Sequence, residues 1–178
     1  MPGLRSLVVK AATVAVAAAA TMSALTAPSS AVDFGTHGYQ LKNQQTGKCL
    51  RPLNSSTGYA SIVQATCTKL MTDQQWVFEE IQPESEPSRY RLKNRWSGLC
   101  MAVVEASGAA GARIVQSTCS TSFNANQTWT IESYHFINQN SRLCIQVSAG
   151  GEENSVAVQQ PVSWDQRLQK LSFLDVGY

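Results

Sequence analysis

The sequence has few of the residues from which active sites and metal centres are built. Its two histidines, His37 and His135, show no paired metal-ligand spacing. No Gly-x-Ser-x-Gly segment or phosphate-binding glycine loop occurs. Adjacent carboxylates such as Glu79 and Glu80 point to opposite faces of a strand, so they cannot act as a catalytic pair. We therefore expect a protein that is not an enzyme and that uses no metal or cofactor.

The sequence also has almost no excess of positive or negative charge. The chain has 14 Lys and Arg against 12 Asp and Glu, and two of the basic residues, Arg5 and Lys10, lie in an N-terminal leader. Without this leader, 12 basic residues face 12 acidic ones. Nucleic acids and acidic membrane surfaces are bound through clustered cations, so neither is an expected partner.

The leader has the parts of a secretory signal peptide. Its two basic residues precede an apolar run over 11–20, and Ser29 and Ala31 offer the small side chains read at a cleavage site. We expect cleavage after Ala31, a mature domain over 32–178 and a secreted, extracellular protein. A membrane anchor is the disfavoured alternative, because Thr, Ser and Pro interrupt the run before about 20 apolar residues are reached. No later segment is long and apolar enough to span a bilayer.

Sustained helical periodicity is absent after the leader, and an internal repeat takes its place. The segments Tyr39–Asn43, Tyr90–Asn94 and Tyr134–Asn138 each precede a cysteine by six residues. Further matching segments are Ile-Val-Gln at 62–64 and 114–116, and closing Gln-x-Trp or Gln-x-Leu at 74–76, 127–129 and 169–171. One such unit is too small to bury its own apolar face, so the units must share a core. We predict an all-β domain of three four-strand repeats, about 38–82, 89–133 and 134–176.

Five cysteines in an exported chain predict disulfide bonds. Cys49 with Cys67 and Cys100 with Cys119 are the same pair in two repeats, which favours two bonds within repeats. Cys144 is left over, because the position of its partner falls at about Pro161. Two roles are open for Cys144, a buried thiol or an intermolecular disulfide.

Taken together, these motifs resemble the ricin-B-type lectins over about Gly38 to Val176. The resemblance implies a β-trefoil, which is a short barrel with a hairpin cap, and reversible carbohydrate binding. Members of that family hold a sugar with an Asp two residues after the first Cys and an aromatic ring two residues before the second. A polar pair ahead of the final Trp completes each pocket.

The chain departs from that pattern at both anchors. The Asp position holds Arg51, Ala102 and Gln146, and the aromatic position holds Ala65, Ser117 and Gln159. The polar pair is kept as Asp73 and Gln74, and as Asn126 and Gln127, with Leu168 and Gln169 in the third repeat. A carboxylate and a flat ring supply most of the sugar contacts in such pockets, so galactose binding of the family type is not expected.

Trp164 lies in a loop at the rim of the third pocket, beside Gln159, Gln160 and Asp165, and two roles are open for it, packing over the loop or a substitute sugar platform. Asp165, and Gln146 at the Asp position of that pocket, are further candidate sugar contacts. Asn126 and Gln127 likewise have a structural alternative, hydrogen bonding to the loop before Trp129. Trp76 and Trp129 are expected in the core.

Two functions follow from these residues. The first is a secreted carbohydrate-binding module with degenerate family sites, whose partner is a carbohydrate or glycan. The second is a protein-interaction module, such as an inhibitor or the non-catalytic partner of an exported enzyme. Its partner would be another secreted protein, with Trp96, Tyr59 and Arg51 as exposed anchors.

Overall fold

The computed structural model describes residues 37–82 and 87–177. The predicted signal peptide, residues 1–31, and its cleavage point lie outside the described residues. Within the described ranges no helix is long and apolar enough to cross a membrane.

The described chain is all-β, as the repeat motifs predict. Its strands are β1 Gly38–Asn43, β2 Cys49–Pro52, β3 Ala60–Ala65, β4 Gln75–Gln82, β5 Arg89–Asn94, β6 Cys100–Val103, β7 Ile114–Ser117, β8 Trp129–Glu132, β9 His135–Asn138, β10 Cys144–Gln146, β11 Val158–Gln160 and β12 Leu171–Asp175. Short 3-10 turns lie at Leu53–Ser55, Thr72–Gln74, Val104–Ala106, Ala125–Gln127 and Arg167–Gln169.

Six of the strands form a barrel of antiparallel neighbours. β1 pairs with β4 and with β12, and the ladder continues from β4 to β5, β8 and β9. A backbone hydrogen bond of 2.9 Å from Leu171 N to Tyr134 O joins the start of β12 to the residue before β9. The hairpins β2–β3, β6–β7 and β10–β11 lie off this barrel and contact one another through β3–β7 pairing and isolated bridges.

Large apolar side chains fill the barrel. Trp76 and Trp129 are fully buried, which confirms the prediction that they belong to the core. Each indole N–H finds a backbone acceptor, from Trp76 Nε1 to Leu50 O and from Trp129 Nε1 to Met101 O, both at 3.1 Å. Leu171 is buried at the third corresponding position and has no polar atom to satisfy.

The asparagines that end the segments Tyr39–Asn43, Tyr90–Asn94 and Tyr134–Asn138 are buried and make the same set of hydrogen bonds. Each side-chain amide donates to a carbonyl of a 3-10 turn, Asn43 to Leu168 O at 2.9 Å, Asn94 to Asp73 O at 2.8 Å and Asn138 to Asn126 O at 2.8 Å. Each Oδ1 accepts from backbone amides two and three residues further along the chain. The Asn therefore fixes the turn after its own strand and a 3-10 turn from another part of the chain.

Three buried glutamines of the cap hairpins join distant loops. Gln64 Nε2 donates to Ser148 O at 3.1 Å, Gln116 Nε2 to Ser56 O at 2.7 Å and Gln159 Nε2 to Ser107 O at 2.9 Å. These bonds align Gln159 with Gln64 and Gln116, and the strand register pairs Cys144 with Gln160. The position that corresponds to Ala65 and Ser117 is therefore Gln160, so the sequence alignment that placed Gln159 there is wrong by one residue.

Both predicted disulfides are confirmed. Cys49–Cys67 and Cys100–Cys119 have Cα–Cα distances of 5.0 and 4.9 Å. Cys144 is free and buried, which favours the role of a buried thiol. Burial raises the pKa of the Cys144 thiol from its ordinary value of 9.0 to about 12.

Candidate functional site

The first corresponding family pocket is occupied by its own side chains. Arg51 Nη1 lies 3.5 Å from Asp73 Oδ2, and Arg51 Nη2 donates to Asn154 Oδ1 at 3.1 Å. Ser55 Oγ donates to the same Asp73 oxygen at 2.8 Å. Arg51 is thus committed to groups within the chain and is not the exposed anchor that the protein-interaction hypothesis expects of it.

The second pocket lacks a charged group. Ala102 is buried at the position where the family carries its Asp. Asn126 is half-buried, and its Oδ1 accepts from Val103 N at 3.1 Å. The structural alternative for Asn126 is therefore supported, because this bond holds the 3-10 turn against the end of β6.

The third pocket is closed by an amide pair. Gln146 Oε1 accepts from Gln169 Nε2 at 3.0 Å, and Gln146 is half-buried. Leu168 fills the position of the first polar residue and is buried. Only a small polar surface is therefore left beside the exposed loop that carries Trp164.

The glutamines of the closing motifs have a structural role in all three places. Their Oε1 atoms accept from Thr68 N, Ser120 N and Ser163 N at 2.8, 2.8 and 2.7 Å. Their Nε2 atoms donate to Thr66 O, Thr118 O and Pro161 O at 2.9, 2.8 and 2.9 Å. Gln74, Gln127 and Gln169 are buried, so both ends of each amide hold the loop after β3, β7 or β11.

Trp164 presents a ring to solvent. It is 50% exposed, and its ring meets the buried His135 ring edge-to-face with centroids 5.0 Å apart. His135 Nε2 in turn lies 3.3 Å from Ser163 O. Asp165 is exposed next to Trp164. The contact with His135 holds the indole from the side of the scaffold, and half of the Trp164 side chain stays exposed.

A cavity of about 220 Å³ lies where Trp96 approaches the 3-10 turn before β4. Its lining residues are Ser55, Leu70, Met71, Thr72, Asp73 and Trp96. Trp96 is 54% exposed, and its Nε1 donates to Ser55 O at 3.0 Å. Sequence reasoning singled out Trp96 and Asp73 separately and missed that they meet. The signal was the opening motif itself, since Asn94 bonds the backbone of both residues.

Other exposed apolar side chains are spread over the surface. Tyr59 is 61% exposed, as the protein-interaction hypothesis expects, and Phe123 and Tyr134 are about half exposed. Among the described residues no group of three or more His, Cys, Asp or Glu is placed to hold a metal ion.

Residues 72–161 match the family model described as ricin-type β-trefoil lectin domain-like. A comparison with curated protein sequences finds no match. Among solved structures, the designed threefold-symmetric protein ThreeFoil superimposes with a TM-score of 0.70 at 25% identity, covering 78% of this chain and 98% of that one.

Two natural proteins of lower identity share the fold. A ricin B-like lectin from Macrolepiota procera, solved in complex with lactose, gives a TM-score of 0.63 at 16% identity, with 78% of this chain and 95% of that chain covered. The exo-β-1,3-galactanase 1,3Gal43A from Clostridium thermocellum gives 0.69 at 23% identity, with 79% of this chain but 30% of that chain covered.

Proposed function

The chain belongs to the ricin-type β-trefoil lectin domain-like family, and from this premise we propose that it is a secreted, non-catalytic carbohydrate-binding module. The two disulfides support the extracellular part of the proposal, because such bonds persist in oxidising compartments. We also infer that the twelve strands are three repeats of four. The recurring bonds of Asn43, Asn94 and Asn138 support that division.

The observation that carries the proposal is a pair of half-exposed indole rings, each held by one contact with the scaffold. Trp96 is held through Ser55 O and Trp164 through the His135 ring. Each has a carboxylate close by, Asp73 across the cavity and Asp165 next in the chain. A flat ring covers the apolar C–H face of a sugar, and a carboxylate accepts from its hydroxyls.

These rings supply the aromatic surface that the family pockets have lost, Trp164 at the rim of the third pocket and Trp96 at the cavity beside Asp73. A stacking contact contributes about 0.5–1.5 kcal/mol, and a charge-assisted hydrogen bond contributes about 1.5–3 kcal/mol. We assign Trp164, Asp165 and Gln146 to a sugar platform at the third pocket. Asp73 and Asn126 stand at the polar positions of the other two pockets, where one oxygen of each already accepts from a group of the chain, and Gln74 and Gln127 contribute by holding the loops.

The test is retention of the purified protein on cellulose, chitin, xylan and galactan, together with a broad array of soluble glycans. We expect retention on at least one of these, weakened about three- to tenfold by Trp164→Ala, because one stacking contact is lost. Tyr59→Ala is the matched control, since Tyr59 is a ring exposed to at least the same degree, at 61% against 50%, and does not line the cavity beside Trp96. No retention of the wild type on any of these surfaces would contradict the proposal.

A protein-interaction module is the second candidate, and one observation favours it. The Asp and aromatic anchors of the family are replaced in all three pockets, while Tyr59 and Leu70 stay exposed at 61% and 75%. Exposed aromatic residues dominate many protein interfaces. A stoichiometric protein that copurifies from the secretome and is lost on Tyr59→Ala would support this candidate in place of the lectin.

A further inference from the structure

The cavity beside Trp96 is formed by three segments that are distant in sequence. Ser55 follows β2, the segment 70–73 precedes β4, and Trp96 lies in the turn between β5 and β6. In the family pockets the ring comes from a position two residues before the second cysteine, which is Ala65 in this repeat. In this cavity the ring is that of Trp96, in the turn that follows β5. The cavity is therefore a different site from the family pocket, although both share Asp73.

The walls of the cavity are held in place before any ligand arrives. Asn94 donates to Asp73 O at 2.8 Å and accepts from Trp96 N at 3.1 Å, so one buried side chain positions both the carboxylate and the indole. The indole N–H is fixed by Ser55 O at 3.0 Å. A preformed site loses little conformational freedom on binding, which favours affinity for a small ligand.

The chemistry of the lining selects among possible occupants. The Trp96 indole, Leu70 and Met71 form an apolar wall, while Asp73 and Thr72 bring a carboxylate and a hydroxyl to the same cavity. Asp73 is 4% exposed, and its Oδ2 accepts from Ser55 Oγ at 2.8 Å and lies 3.5 Å from Arg51 Nη1. An apolar peptide side chain would cover the Thr72 hydroxyl and the side of the carboxylate that faces the cavity without offering either a hydrogen bond, which is unfavourable. A ligand with an apolar face and hydroxyl groups on its rim would satisfy both walls.

We propose that this cavity is the principal carbohydrate subsite of the chain, and that it binds one neutral pyranose against Trp96 with its hydroxyls directed to Asp73 and Thr72. This assignment rests on the proposed carbohydrate function and gives it a location. Sugars that carry a carboxylate are disfavoured, because Asp73 lines the cavity while its ion-pair partner Arg51 does not, so the cavity offers no cation to a negatively charged ligand.

The cavity lies at a junction where the turn after β5 meets the 3-10 turn Thr72–Gln74. Two corresponding junctions, at the turns after β9 and β1, lack its combination of indole and carboxylate. At the second junction Asn140 Nδ2 donates to Ala106 O at 2.8 Å, as Trp96 Nε1 does to Ser55 O, and Asn126 takes the place of Asp73. At the third junction the place of the carboxylate is held by the buried Leu168. Of the three junctions, the first alone joins an indole to a carboxylate, which makes Asn140 the natural control position.

The experiment is a titration of the full chain with glucose, galactose, mannose, N-acetylglucosamine, N-acetylgalactosamine and glucuronic acid, followed by tryptophan fluorescence. The variants are Trp96→Ala, Trp96→Phe, Asn140→Ala and Trp164→Ala, each checked by circular dichroism for folding. We expect Trp96→Ala to weaken binding of the best neutral sugar at least fivefold and Trp96→Phe to retain most of it. Asn140→Ala should bind like the wild type, and glucuronic acid should bind less tightly than glucose.

Because Trp96→Ala removes one reporter fluorophore, saturation-transfer NMR on the same sugars provides the second readout. Unchanged affinity of folded Trp96→Ala, with loss in Trp164→Ala, would overturn this inference and leave the proposed function standing. The same holds if glucuronic acid binds more tightly than every neutral sugar. No binding of the wild type to these sugars, together with no retention on the polysaccharides and glycan array, would overturn both.

Discussion

Buried amide side chains carry much of the order in this protein. Asn43, Asn94 and Asn138 have no exposed surface, yet each joins its own turn to a 3-10 turn elsewhere. A buried amide of this kind is favourable because both its donor and its acceptor are satisfied. Removing one leaves backbone groups buried without partners.

Asn94→Ala should therefore lower the free energy of unfolding by about 2–4 kcal/mol, because one donor to Asp73 O and one acceptor for two amides are lost together. Urea denaturation followed by circular dichroism measures the change. Asn140→Ala serves as the control, since Asn140 is exposed and its loss should cost under about 1 kcal/mol. Equal stabilities of the two variants would contradict this role for Asn94.

Cys144 is expected to be unreactive in the native protein. Its thiol is buried beside Gln160 O, and its pKa is raised to about 12 by desolvation, so almost no thiolate forms near pH 8. Iodoacetamide should label one thiol per chain after denaturation and none before. Labelling of the native protein, or a dimer that separates on reduction, would show the intermolecular role instead.

The same shift makes stability depend on alkaline pH. The unfolded thiol loses its proton near the ordinary pKa of 9.0, while the folded thiol keeps it to about 12. Between these values the folded state binds more protons, so the stability that the neutral thiol contributes is present below pH 9.0 and falls as pH rises towards 12. Urea denaturation of the wild type and of Cys144→Ala at increasing pH isolates this effect.

At the scale of elements, the hairpin of β8 and β9 has an unfavourable turn sequence. Glu132 pairs with His135, so Ser133 and Tyr134 form a two-residue turn with φ values of 46° and 69°. Both are in the left-handed region that a two-residue hairpin turn with its native twist requires. The motif opening at Tyr134 predicts a strand from that residue, but β9 begins at His135 because this tight turn takes Tyr134.

Tyr134→Gly should stabilise the protein by about 0.5–1 kcal/mol, because glycine adopts a positive φ without the Cβ penalty. Thermal denaturation by calorimetry measures the change in Tm. Gly47→Ala, at a position with φ of 69° in another turn, is the reciprocal control and should be destabilising. A lower Tm for Tyr134→Gly would mean that contacts of the Tyr134 ring outweigh the strain in the backbone.

At the scale of the whole molecule, the two ends of the barrel sequence close it. β12 pairs with β1 over five residues, from Tyr39 with Asp175 to Asn43 with Leu171. Phe173 of β12 packs against Phe78 with ring centroids 5.4 Å apart. The hairpins β2–β3, β6–β7 and β10–β11 are also joined in a ring, because Gln64, Gln116 and Gln159 each donate to a loop that belongs to another hairpin. Segments from the start, the middle and the end of the described residues are therefore joined to one another.

A chain that ends at Lys170 should not fold, because it loses the whole β12 ladder and the buried side chain of Leu171. Circular dichroism, and the absence of a cooperative thermal transition, would report this. A control chain that ends at Gly177 should melt like the full chain. A cooperative transition in the shorter chain would show that the first two thirds fold without the closing strand.

The sequence alone was enough for the all-β class, the two disulfides and the buried Trp76 and Trp129. These features depend on spacing within one repeat, and the spacing occurs more than once, so the copies confirm each other. The sequence leaves the roles of Asn126 and Gln127 open, because an amide beside a ligand site and an amide that holds a loop have the same sequence signal.

The tertiary structure alone decided which distant residues meet and how the third hairpin is registered. Arg51 turns to Asp73 and Asn154, Gln160 replaces Gln159 in the third pocket, and Trp96 meets Asp73 in one cavity. The contacts join residues at least 22 positions apart, and the register of Gln160 depends on the loop before β11, so the spacing of the motifs specifies neither. The closure of the barrel brings these loops together, and that closure is a property of the whole chain rather than of any one repeat.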